Sequence, residues 1–340
     1  MLTPILAFRP ARVVERLAPR SAACALSSAE LLGPLSAAGL VLPLVHAPVA
    51  GVARAALLAA REAGSALGLQ LTAGVDPGRW FAAVTAAADE LAAGLPFFLA
   101  AEVVVAGEGG TQVDAALALG WRLMDAGLTH LALDVTQVAP AERARVLAAV
   151  AEPAVTRGLG LEVVLRLAET GQRATRAAAE LEALARLDVR PDLVGVRCPA
   201  APGPDEARAQ AGALGRVAEV LRGVPVLRRG PISPAIVAAL ARGPVRAVSD
   251  GGAATARALE VIPWELLPSG EGRGPRASEL EAAVEELSQD GLDRFEARAY
   301  VEAADLVERL GSAGSAAVVS RALEARLAED GSRRPRGARR

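Results

Sequence analysis

The sequence predicts an eight-stranded (β/α)8 barrel over residues 38–267, followed by a C-terminal helical extension. Three observations carry this. Short β-rich runs recur eight times, each followed by an Ala/Leu/Arg stretch of helical character. Most spacings are about 30 residues, the length of one βα unit. The first run lacks the G-x-G-x-x-G turn expected of the competing doubly wound open sheet, and eight units fit the length such a barrel needs.

Residues 1–37 form an N-terminal segment with a leading helix. The strand runs then follow in order: 40–45, 67–72, 96–105, 129–135, 161–167, 192–198, 224–229 and 245–249. Gly or Pro marks many of the joins, as at Gly39, Pro96, Gly127, Gly160, Pro191 and Pro244. The intervening segments 113–128 and 141–158 have the apolar stripe of amphipathic helices. The GEGG at 107–110 misses the phosphate-fingerprint spacing and reads as a loop. A Pro/Gly/charged linker is expected at 268–277, and helical segments at 278–330, with Ser278 and Glu281 spaced as a capping box. Residues 331–340 read as a disordered basic tail.

Composition narrows the chemistry. At 52% hydrophobic and 22% charged, the 340 residues can bury a full core. The net charge is −2, and five arginines lie in the terminal RRPRGARR, so the body is more negative still. That sign argues against a nucleic-acid partner. No lysine occurs, which removes Schiff-base catalysis and a Walker-type lysine. With only His46 and His130 present, a three-histidine zinc site cannot form within the chain. Cys24 and Cys198 have no metal-ligand spacing and fit a reducing compartment. No signal peptide and no 18-residue apolar run is evident, so the expectation is a cytoplasmic protein without a membrane partner.

Barrels of this kind build their sites at the C-terminal strand ends. The residues there are His46, Glu102, Asp134 with Thr136, Glu162 with Arg166, Arg197 with Cys198, Arg228, Arg229, Ser249, Asp250, Gly251 and Gly252. Glu102 and Asp134 interrupt apolar runs, and inward carboxylates are costly unless they are paired or functional, so they are the candidate catalytic acids or bases. The substrate-binding candidates are His46, Glu162, Arg197, Arg228, Arg229, Ser249, Asp250, Gly251 and Gly252. His46 reads equally as a solvated loop histidine. Glu162 and Arg166 share strand parity and could simply pair with each other. The glycine turns after the last two strands suit a phosphate, held by Arg228 or Arg229 and the amides of Gly251 and Gly252, although ordinary tight turns look the same and Asp250 opposes an anion. His130 opens its strand at the far end and reads as structural.

Residues 31–71, 114–165 and 224–252 resemble, in order, the opening, middle and end of the class II fructose/tagatose-bisphosphate aldolases, a family that includes non-catalytic tagatose-bisphosphate aldolase subunits. The likeness lies in pattern: a strand LVLPLVHAP where the family has G-(Y)-A-V-P-A-F-N, a THLALDVT strand retaining Asp134 of L-D-x-S/T, and a VPVLRRGPIS turn retaining Gly230. The departures fall on the family's catalytic positions. Its L-H-x-D-H strand corresponds to Leu99–Val103, leaving Glu102 as the carboxylate and Val103 in place of a zinc histidine. Its E-x-E becomes Glu162-Val163-Val164, its strand 7 histidine falls on Arg228, and its substrate asparagines fall on His46 and near Ser249. The resemblance therefore implies an aldolase-like barrel with no metal and no cofactor. Such a chain would be non-catalytic or divergent, related to sugar-phosphate metabolism, with a phosphorylated sugar, a second copy or a catalytic aldolase as partner. Two other readings stay open. One is a metal-independent carbon–carbon lyase or isomerase using Glu102 or Asp134 as base, with arginines as electrophile. The other is a purely structural barrel.

Overall fold

The computed structural model describes residues 4–107, 109–166, 182–221, 223–240, 243–267 and 277–333. Strands β2 (Leu42–His46), β3 (Leu67–Leu71), β4 (Pro96–Val104), β5 (His130–Asp134), β6 (Gly160–Arg166), β7 (Leu193–Arg197), β8 (Val226–Arg229) and β9 (Val245–Ser249) pair in parallel with their sequence neighbours. β9 returns to β2, which closes the eight-stranded barrel. The sequence reading did not include β1, the two-residue strand Cys24–Ala25, which pairs with Pro96 and Phe97 at the start of β4. β4 is long enough to accept it because β5 pairs only from Ala100 onward.

The local signals act as their chemistry dictates. Asp76 caps the helix Pro77–Leu91, accepting the Arg79 amide at 2.7 Å, with proline at the first helical position. Gly64 ends the helix Ala50–Ala63 in the left-handed conformation at φ +61°. Strand alternation sorts the apolar residues into two layers. Val45, Leu69, Phe97, Leu99, Leu131 and Leu133 face the helices, whereas Leu42, Leu44, Phe98, Ala100, Leu193, Leu227 and Ala247 form the inner cluster. Phe98 reaches across Gly68, where an added Cβ would lie 2.5 Å from its ring.

The N-terminal mouth of the barrel is plugged. Leu31, Leu32 and Leu35 of the helix Ser28–Ala37 join the inner cluster, together with Ile5, Leu6, Val319 and Leu323. Three C-terminal helices, Ala277–Glu285, Gln289–Arg309 and Ser315–Arg333, dock on the barrel. The middle one lies between the helices Ala50–Ala63 and Ala253–Leu259 and buries Phe295 against Gly51. Its end is tied to the barrel base: Ser312 Oγ donates to the Val41 carbonyl at 2.8 Å, and Ser315 Oγ accepts the Ala66 amide at 2.9 Å. Ser278 lies inside the first of these helices, so it does not provide the expected N-cap. Of the expected linker 268–277 and disordered tail 331–340, residues 268–276 and 334–340 lie outside the described residues, whereas Ala277 opens the first of these helices and Gly331–Arg333 continue the last.

Candidate functional site

The polar residues of the barrel interior form two tiers. The upper tier, at the C-terminal strand ends, centres on Arg197. Its Nε donates to Asp134 Oδ2 at 2.9 Å and its Nη2 donates to Glu102. The other Asp134 oxygen accepts both the amide and the hydroxyl of Thr136, at 2.9 and 2.6 Å, so its turn fixes it. Arg197 is 41% exposed, Glu102 15% and Asp134 5%, which makes this tier the accessible one. Burial lifts the Glu102 carboxyl above its ordinary range, against the pull of Arg229 and Arg197.

The lower tier is fully buried. Arg229 forks onto Glu162, Nε to Oε1 at 2.5 Å and Nη2 to Oε2 at 2.6 Å, and its Nη1 donates to Gln70 Oε1 at 2.8 Å. Burial alone would raise Glu162, but the Arg229 charge and hydrogen bonds, with help from His130, hold it at about 2. Glu162 Oε2 lies 3.1 Å from His130 Nε2, and His130 Nδ1 lies 2.6 Å from Ser28 Oγ. An ionised Glu162 only accepts, so Nε2 donates to it, while Nδ1 hydrogen-bonds the Ser28 hydroxyl. Ser28, His130 and Glu162 are all at 0% exposure, so this serine–histidine–carboxylate chain braces the plug helix and has no route to a substrate. Gly195 makes room for it: a Cβ there would sit 1.8 Å from Glu162 Oε1.

Several expectations are corrected here. Glu162 pairs with Arg229; Arg166 is exposed on the strand end. Arg228, on the opposite face of β8 from Arg229, turns away from the interior. It donates to Gln210 Oε1 (2.9 Å) and to the carbonyls of Gly230 (2.6 Å) and Pro231 (2.5 Å), which closes that loop and leaves no guanidinium edge for a ligand. The turn after β9 is likewise satisfied from within. Ser249 Oγ accepts the Gly251 amide at 3.2 Å, and Asp250 accepts the amides of His46, Gly252 and Ala254 at 2.9, 2.9 and 3.2 Å. These amides therefore do not form an empty phosphate cradle. Burial pushes Asp250 up to about 6 despite the three amide donors. His46 Nε2 meets Thr72 Oγ1 at 3.1 Å, and burial, reinforced by Arg229, lowers its pKa, so it is neutral at pH 7.

Gln70, Thr72 and Ser28 were not among the sequence candidates. Gln70 carried the signal that singled out Glu102, a polar side chain in an apolar strand run. Both thiols are buried, which raises Cys24 to about 12 and Cys198 to about 11 and leaves them unreactive.

With both tiers in view, the chain can be set beside known proteins. It superposes on the YdjI aldolase from Escherichia coli K12 with a TM-score of 0.60 at 15% identity, covering 85% of this chain and 98% of that one. The fructose-bisphosphate aldolase from Campylobacter jejuni gives 0.59 at 12% identity, over 86% and 96%. The fold is that of the class II aldolase-like structures. Neither family models nor curated proteins match the sequence itself.

The sequence resemblance to the class II aldolases leads to the expectation of a zinc ion among the C-terminal strand ends, and the residues present there do not fit one. Val103 is buried and carries no donor atom. The interior carboxylates Glu102, Asp134 and Glu162 are each bonded to a guanidinium, which would oppose a cation in their midst. Among the described residues no group of three or more His, Cys, Asp and Glu side chains is placed to hold a metal.

Proposed function

We propose that this protein is a non-catalytic homologue of the class II aldolases, related to sugar-phosphate metabolism, in which arginine–carboxylate pairs occupy the place of the metal. The observation that supports this reading most strongly is the Arg197 clamp. A metal-dependent aldolase needs a Lewis acid at the strand ends to stabilise an enediolate. Here a guanidinium ties together Glu102 and Asp134, the two residues best placed to act as base. A carboxylate held in that clamp is aimed at the guanidinium and not at a substrate proton, and a site whose cations are already neutralised attracts phosphate weakly.

The reading extends to the partners. A phosphorylated sugar would bind weakly at the open mouth beside Arg197, with ~millimolar affinity. The role left for the chain is structural support of a catalytic aldolase, or of a second copy of itself, in the cytoplasm.

The test is an aldol-cleavage assay on fructose 1,6-bisphosphate and tagatose 1,6-bisphosphate, with and without added zinc. No cleavage above the buffer rate is expected in either condition. Zinc-independent cleavage abolished by Glu102→Gln would establish the metal-independent lyase instead.

A further inference from the structure

Outside the barrel, the helix Pro77–Leu91 and the helix Gly110–Asp125 hardly touch, although each packs closely on its other neighbour. A cleft of about 850 Å³ separates them, within the size range of small-molecule sites. Leu71 of β3 and Ala101 of β4 line its base, and Leu119 and Leu123 line one wall.

The charges along it are unbalanced in a specific way. Its acidic groups are engaged: Asp76 caps its helix, Asp125 accepts from Arg157 at 2.6 Å, and Glu102 belongs to the Arg197 clamp. Its two cations, Arg16 and Arg122, have no carboxylate partner among the described residues. Two free guanidiniums beside an apolar base call for a ligand with an anionic head and an apolar body, since the planar fork matches carboxylate and phosphate alike.

We propose that this cleft is a binding site for an amphiphilic anion, a carboxylate or phosphate monoester on a short hydrocarbon chain. The head group meets Arg16 and Arg122, and the chain lies along Leu71, Ala101, Leu119 and Leu123. The site borders the strand-end tier at Glu102 and at Thr72, which bonds His46, but its two cations belong to neither tier.

Isothermal titration with octanoate, octyl phosphate, octanol and inorganic phosphate tests it. At least one octyl anion should bind once per chain, and whichever does so identifies the head group. Octanol and inorganic phosphate should each bind at least tenfold more weakly. The Arg16→Ala/Arg122→Ala double variant, altered only at exposed positions, should lose at least tenfold in affinity for the anion. Ala101→Leu, which fills the base without touching a charge, should weaken it as well. Equal binding by wild type and the double variant, octanol binding as tightly as the anions, or no binding by either octyl anion would overturn the proposal. None of these results bears on aldol cleavage, which is measured separately.

Discussion

Gly195 decides whether the interior ion pair can exist, because any side chain there would overlap Glu162. Gly195→Ala should therefore cost about as much as breaking a buried pair, ~3–5 kcal/mol, read from urea unfolding midpoints. A change within 0.5 kcal/mol would contradict the packing described. Glu162→Gln should cost a similar ~3–5 kcal/mol at pH 7, since it strands Arg229. The pH dependence has a definite sign. Glu162 is depressed from an ordinary 4.5 to about 2, so its stabilisation is complete above about pH 4.5 and is lost as pH falls toward 2. The gap between wild type and Glu162→Gln should narrow across that window. Asp250 runs the other way. Raised from 3.8 to about 6, it favours the folded state most at low pH and loses that contribution as pH rises through 6. At this scale the sequence was partly legible. A lone carboxylate in an apolar strand marked Glu102, Asp134 and Glu162 as paired or functional. Between the adjacent Arg228 and Arg229, however, parity alone could not say which enters the barrel, because Val226 and Leu227 are both apolar and so mark neither face.

At the level of elements, the strand runs were the easiest to read, because parallel strands covered on both faces are continuous apolar stretches bounded by Gly and Pro. The two-residue β1 carries no such signal; its pairing depends on the surplus length of β4. The C-terminal helices showed their apolar stripe in the sequence, but not the surface they cover. Phe295 is fully buried over Gly51 and anchors the helix Gln289–Arg309. Phe295→Ala should destabilise the protein by ~3–5 kcal/mol, by lost burial and the cavity left behind. Thermal or urea unfolding followed by circular dichroism checks this, and an unchanged midpoint would show that the extension adds nothing to the fold.

For the molecule as a whole, a closed parallel barrel followed from eight βα units and the right-handed crossovers that connect them. What the sequence did not show is that the inward arginines and carboxylates pair with one another across the interior, since such contacts join strands far apart in the chain, as Arg197 with Glu102 and Arg229 with Glu162. Those pairs carry the central proposal, that guanidinium–carboxylate contacts stand where the class II aldolases it resembles would hold a metal. Equilibrium dialysis of the purified protein against micromolar zinc, with metal counted per chain, tests it most directly. The predicted result is no saturable zinc; one zinc per chain, lost on Glu102→Gln, would contradict it.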